Sequence, residues 1–212
     1  MRVTYIDNMG TDLTVVNAAR VSFDKTSELE DTKQNTIKEK DVKLIKYLAR
    51  HNHWTPFGHC QSTFRIKAPI FVARQLAKHQ IGMVWNEVSR RYVDSEPEFY
   101  VPYDWRKRAS NVKQGSSDEV VNRLWGLDTL YKQQLTVYNR MLKVGVCPEQ
   151  ARMVLPQSMY TEWYWTGSLS AWARVCKLRL DEHTQKETQD VAKLLDKEML
   201  SLYPISWKEL MV

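Results

Sequence analysis

"HCQSTFRIKAPIFVARQLAKH", residues 59–79, changes its periodicity halfway, and that change decides the fold class. In its first half Cys60, Ser62, Phe64 and Ile66 alternate with Gln61, Thr63, Arg65 and Lys67, the period of a half-buried strand. Pro69 then opens "PIFVARQLAKH" as a helix, because its fixed φ and missing N–H suit a first helical position. A strand running straight into a helix points to a mixed fold. The same pattern recurs later, where "SMYTEWYWTGS" (158–168) reads as a strand with Met159, Thr161, Trp163 and Trp165 on one face. A helix at 169–179 follows it.

Outward from these two units, "RVTYID" (2–7) is a strand and "DLTVVNAARVSF" (12–23) a helix capped by Asp12. "DKTSELEDTKQNT" (24–36) is a polar, mobile loop before the amphipathic helix "IKEKDVKLIKYLAR" (37–50). "KHQIGMVWNEVSRRY" (78–92) reads as the end of the 69–79 helix and a loop beyond it. "SNVKQGSSDE" (110–119) is the most linker-like segment, then come a long helix to about 143, a short one at 148–156, and a last helix at 184–201. The 212 residues, without a composition break, read as one α+β domain over 1–212.

Composition excludes several classes. Hydrophobic residues make up 43% and charged ones 26%, so the chain is neither disordered nor fibrous. No apolar run reaches a membrane span, and the N-terminus has no signal-peptide pattern. Three unevenly spaced cysteines argue for a reducing cytoplasm rather than a disulfide framework. Thirty-one Lys and Arg against 25 Asp and Glu suit nucleic acid and an anionic small molecule alike. A basic nucleic-acid-binding protein is therefore the reading from a different class, weakened by dispersed arginines and tryptophans at core spacing. Most of the eight tryptophans are expected in the core or a subunit interface.

Motifs narrow the chemistry further. His51-x-His53, on a strand, would put two imidazoles on one face, but no further ligand spacing accompanies it, and no metal is expected. Cys147 and Cys176 lack a nucleophile signature and read as buried structural cysteines. No Walker loop, Gly-x-Gly-x-x-Gly or Gly-x-Ser-x-Gly occurs, so phosphates must be held by side chains. Arg90, Arg91, Arg152 and Arg179 supply forked, permanently charged partners. Gln75, Asn86, Glu87 and Ser89 add the mixed donors and acceptors that a nucleobase and sugar need.

With those residues in view, "HWTPFGHCQSTFRIKAPIFVARQLAKHQ…NEVSRRY" resembles the flavin-dependent thymidylate synthases, as does "ARMVLPQSMYTEWYWTGSLSAWARVCKLRLDEHTQ". "AARVSF" is an N-terminal echo, and residues 94–147 are largely unmatched. The resemblance implies an α/β fold with a central, mainly antiparallel sheet flanked by helices, assembled as a homotetramer with active sites shared between chains. It implies methylation of dUMP to dTMP, with methylenetetrahydrofolate as carbon donor and NADPH reducing a bound FAD. No membrane or nucleic-acid partner is implied, and no enzyme cysteine is required.

By the same resemblance Gln75, Lys78, Glu87, Val88, Ser89, Arg90, Arg91, Arg152 and Arg179 surround dUMP, and Arg179 is the catalytic residue at the uracil ring. Thr55, Lys78, His79, Gln80, Asn86, Glu87, Ser168, Ser170, Arg174 and His183 match FAD positions, with His53 near the flavin ring or folate. The family's signature is Arg-His-Arg, seven residues, then Ser. Here it is Lys78-His79-Gln80 with eight residues before Ser89, and Arg174 is a candidate to restore the charge lost at Gln80. The changed contacts leave open a related one-carbon transfer on the same scaffold, such as hydroxymethylation, or another pyrimidine nucleotide.

Overall fold

The strand at β2 (Gln61–Pro69) buries Ser62, Phe64, Ile66 and Ala68, the face its alternation marked. It pairs antiparallel along its whole length with β6 (Tyr160–Ser168), Phe64 opposite Trp165 and Ile66 opposite Trp163. β1 (Arg2–Met9) lies on the other side of β2, and β3 (Met83–Glu87) on the other side of β6. The resulting four-stranded sheet has the order β1-β2-β6-β3 and only antiparallel neighbours. The computed structural model describes all residues except 35, 94, 111–114 and 122–125.

Helices cover the apolar face of this sheet. α7 (Leu169–Arg179) leaves β6 directly, capped by Ser168, whose hydroxyl accepts the Ala171 N–H. Trp172 on α7 packs edge-to-face on Phe64 and Trp165 and donates its indole N–H to the Ser62 carbonyl at 3.2 Å. Burying these three rings stabilises the fold at ~25 cal/mol per Å² of apolar surface removed from water. Behind it, α8 (Lys186–Leu202) contributes Val191, Leu195 and Met199, and α9 (Pro204–Met211) contributes Trp207. α1 (Asp12–Arg20), α2 (Glu39–Arg50) and the short α3 (Thr55–Gly58) close the same core with Val15, Val16, Ile45 and Phe57. The opposite sheet face is polar: Glu162 is gripped by Arg2 and Arg65, and Thr63 meets Thr166 at 2.9 Å.

Several expectations need correction. The 78–92 stretch is not only a helix end and a loop, since α4 (Ile70–Leu76) stops early and Met83–Glu87 is the sheet's edge strand. Pairing with β6, and the stacking of Trp85 on Trp163 with centroids 4.3 Å apart, make it a strand despite its polar composition. In the 110–119 segment, Ser116–Val121 is β5, paired with β4 (Trp105–Arg108), while 111–114 lie outside the described residues. α9 is a further helix after 184–201. Asp12 does not cap its own helix, which Thr11 precedes as N-cap. Its carboxylate instead accepts the Ile205 and Ser206 N–H groups at 3.0 and 2.8 Å, capping α9 from across the fold.

The long helix is α5 (Leu127–Lys143), followed by α6 (Pro148–Ala151) and one 3₁₀ turn to Val154. Of the two cysteines read as buried, Cys176 is, whereas Cys147 is exposed because it precedes Pro148 at the surface start of α6. Four tryptophans, 163, 165, 172 and 207, sit in the core, while Trp54 is exposed. Among the described residues no helix is long and apolar enough to cross a membrane.

Candidate active site

The first concentration of expected residues lies where β3 runs out along the start of β6. The ladder continues one step past Glu87, with the Val88 N–H donating to the Glu162 carbonyl at 2.8 Å. Strand alternation then turns Trp85 and Glu87 to the same side. Thr161 donates to one Glu87 carboxylate oxygen at 2.7 Å and Trp85 Nε1 to the other at 3.2 Å, so the carboxylate is held from both ends. A cleft of about 460 Å³ opens beside it, with Lys67, Glu87, Val88, Arg90, Arg152 and Tyr160 among its walls. Arg152 arrives from the 3₁₀ turn after α6, and Arg90 from the turn after β3. Ser89 and Arg91 stand in that turn, with the Arg91 N–H on Ser89 Oγ and the Arg91 guanidinium 3.4 Å from Glu149.

A second cleft, of about 510 Å³, shares no lining residue with the first. Gln75, Leu178, Arg179, Asp181, His183 and Gln185 belong to its walls. Arg179 ends α7, and its half-buried guanidinium is fixed at two points. Nε donates to His79 Nε2 and Nη2 to the Gln75 carbonyl, both at 2.9 Å. Burial, then the Arg179 and Arg174 charges, depress the His79 pKa from 6.5 to about 4, so at neutral pH the ring is uncharged and accepts a hydrogen bond from the Arg179 Nε–H. His79 thus serves as an acceptor, a role its sequence position did not reveal. Burial also lowers the Arg179 pKa, but a guanidinium keeps its charge.

Between the clefts the 77–82 segment folds onto the N-terminal turn of α7. Gly82 has φ +72°, and a Cβ there would lie 3.2 Å from Ala171 and 3.3 Å from Ser168 Oγ, so glycine is needed both for conformation and for space. Arg174 Nη2 donates to the Ile81 carbonyl at 2.7 Å, and Ser168 and Ser170 hydroxyls are 3.2 Å apart. Ser168, Ser170 and Arg174 therefore do assemble with the Lys78-His79-Gln80 segment, Lys78 and Gln80 remaining exposed. Two cations, two hydroxyls and a helix N-terminus fit a diphosphate group.

The other expected residues lie apart. Thr55 begins α3, and His53 stacks on Tyr47 in the turn before it, where His51 also packs on Tyr47. The His51-x-His53 pair is thus in a helix-terminal turn, not on a strand. Asn86 is exposed on the sheet face opposite Glu87, and His183 lies in the Arg179 cleft rather than with Ser168 and Arg174. Sequence reasoning missed Lys67, Thr161, Tyr160 and Gln185. Only the pairing of β2 with β6, and the docking of α8, bring these four to the clefts.

A family profile described as "Thymidylate synthase complementing protein" matches residues 4–205. The chain is 41% identical over 192 residues to a flavin-dependent thymidylate synthase of Thermosipho africanus, covering 88% of this chain and 80% of that protein. It is 39% identical to one of Thermus thermophilus, covering 97% and 73%. The chain belongs to the flavin-dependent thymidylate synthase family. Its fold is similar to the crystal structure of the UMP/dUMP methylase PolB from Streptomyces cacaoi bound with 5-Br dUMP, with a TM-score of 0.83 and 31% identity over 98% of this chain and 93% of that one.

Proposed function

We propose that the protein methylates dUMP to dTMP, with methylenetetrahydrofolate as carbon donor, FAD as redox cofactor and NADPH as reductant. The observation that carries this reading is the Arg179 guanidinium, charged, half-buried and clamped by His79 and the Gln75 carbonyl at the wall of a cleft. Carbon 5 of uracil attacks an electrophile only as negative charge develops on the ring. A pre-oriented guanidinium at the N3/O2 edge stabilises that charge without reorganising at the moment of reaction. Arg90, Arg91, Arg152 and Ser89, with N–H groups of the turn after β3, hold the phosphate, and Glu87, its carboxylate held by Thr161 and Trp85, lines the same cleft.

Lys78, Arg174, Ser168 and Ser170 hold the FAD diphosphate, with Thr55, His79, Gln80, Asn86, Glu87 and His183 as its further contacts and His53 near its ring or the folate. Bound flavin supplies the electrons that reduce the transferred carbon to a methyl group. His79 stays unprotonated there, which keeps its lone pair on Arg179. The relatives named as flavin-dependent thymidylate synthases support the cofactor. The enzyme works in the cytoplasm on small-molecule substrates, without membrane or nucleic-acid partners.

Arg90 and Arg152 line one cleft and Arg179 lines another, with no shared wall. A single dUMP requires both sets, which supports a homotetramer whose sites combine two chains. Incubation with dUMP, methylenetetrahydrofolate, FAD and NADPH should yield dTMP by mass. No product, or a hydroxymethylated one, defeats the reading. Mixing an Arg90→Ala chain with an Arg179→Ala chain should regain activity that neither has alone. A second reading, methylation of UMP, is favoured by the likeness to PolB, and competition of UMP against dUMP decides it.

A further inference from the structure

One arm of the Arg179 clamp is the main-chain carbonyl of Gln75, and the side chain of the same residue is itself held. Its Nε2 donates to Gln185 Oε1, and its Oε1 accepts from Thr188 Oγ1 at 3.0 Å. Gln185 in turn donates Nε2 to Glu187 Oε2 at 3.0 Å. Glu187 is 5% exposed, and its other oxygen accepts Arg106 Nη2 at 2.6 Å and the Tyr100 hydroxyl at 3.5 Å. Arg106 belongs to β4 and also donates Nε to Ser116 on β5 at 2.7 Å, so the same carboxylate ties down the β4–β5 hairpin. Gly115, at the end of that hairpin, reaches the wall of the Arg179 cleft beside His183.

The chain of contacts has a direction. An ionised carboxylate only accepts, so Glu187 obliges Gln185 to turn its NH₂ towards it. The Gln185 carbonyl must then face Gln75, which turns the Gln75 NH₂ towards Gln185 and its oxygen towards Thr188. Neither amide is free to flip, because a flip would set acceptor against acceptor or donor against donor in a half-buried setting. Burial pushes the Glu187 carboxyl up, but the hydrogen bond and charge of Arg106, a backbone N–H and the Gln185 amide together outweigh it and leave the pKa below the usual range. The polarity of the relay is therefore retained at neutral pH.

We propose that Gln185 is a positioning residue for the nucleotide site, oriented by the Glu187–Arg106 pair: it anchors the Gln75 side chain and with it the last turn of α4, whose Gln75 main-chain carbonyl holds the Arg179 guanidinium. None of Gln185, Glu187 or Arg106 is among the residues carried over for dUMP or FAD. The role is a deepening of the proposed function and rests on it. It also gives the β4–β5 hairpin, in the region the resemblance left unmatched, a connection to the reaction.

The test is a charge exchange in the full-length, flavin-loaded protein. Gln185→Glu alone opposes two carboxylates, while Gln185→Glu combined with Glu187→Gln restores a donor against each acceptor and leaves an acceptor for Arg106. Titration calorimetry with dUMP and steady-state dTMP formation are read for each, with melting as a check on folding. Gln185→Ala is expected to lower kcat by about tenfold with a smaller change in the KM for dUMP, since it loosens the group that acts on developing charge. Gln185→Glu should lose at least as much, and the exchanged pair should return to within about threefold of wild type. A Gln185→Ala enzyme within twofold of wild type overturns the proposal. So does an exchanged pair no better than Gln185→Glu, including the case where the single variants fail to fold. Failure of the wild type to bind dUMP or form dTMP would instead defeat the proposed function itself.

Discussion

Acidification separates the His79–Arg179 contact from every other titrating group when wild type is compared with His79→Gln. The amide oxygen of the variant can still accept from Arg179 Nε, but it does not titrate. In the wild type the imidazole pKa is 6.5 unfolded and about 4 folded. Above pH 6.5 both states are neutral and the full stability is present. As pH falls from 6.5 towards 4 the unfolded chain takes up a proton that the folded chain refuses, so stability is lost over that window. Between pH 7 and pH 4.5 the unscreened loss is about 2.5 kcal/mol, from 1.36 kcal/mol per pKa unit. His79 is only half withdrawn from solvent, and screening brings this to about 1 kcal/mol. For a chain of this length that is roughly 2–4 °C in Tm. Melting curves from pH 7 to 4.5 should therefore show the wild type losing about that much more than His79→Gln. Parallel pH profiles for the two proteins would refute the placement of an unprotonated imidazole against the guanidinium.

Arg179→Lys keeps the charge but loses the two-point clamp, and should lower kcat by about 10²-fold while dUMP binding, measured calorimetrically, changes far less. Arg174→Ala should reduce the flavin absorbance retained after removal of excess FAD, and unchanged affinity would sink its proposed role at the diphosphate. Gly82→Ala should cost ~1–3 kcal/mol, read by thermal melting, because it combines a positive φ with a Cβ against Ala171 and Ser168. Asp12→Ala should cost about 1 kcal/mol, and a melting temperature equal to wild type would show that α9 does not need the remote cap.

What could be read from the sequence was whatever has a local period. β2 and β6 alternate, α7 follows β6 at a capping serine, and α2 carries one apolar stripe, so each declares its buried face without a neighbour. The arginines were legible as candidate phosphate partners from their chemistry, whereas the Lys78-His79-Gln80 segment stood out only through its resemblance to the family's Arg-His-Arg. β3 was not legible, since an edge strand with Asn and Glu in it is a strand only through its hydrogen bonds to β6. Nor was the task of Asp12, whose partners are some 190 residues away in sequence.

Tertiary structure alone sorted the candidate residues. It set Arg90 and Arg152 at one cleft, Gln75, Arg179 and His183 at another, and Ser168 with Arg174 beneath the 77–82 segment. It also added Lys67, Thr161, Gln185 and Glu187, ordinary polar residues whose importance lies in what they touch. The reason is physical. Residue type and spacing fix which side chains can ionise, donate or stack, whereas direction and distance depend on how the β2–β6 pair and the α4, α7 and α8 helices pack.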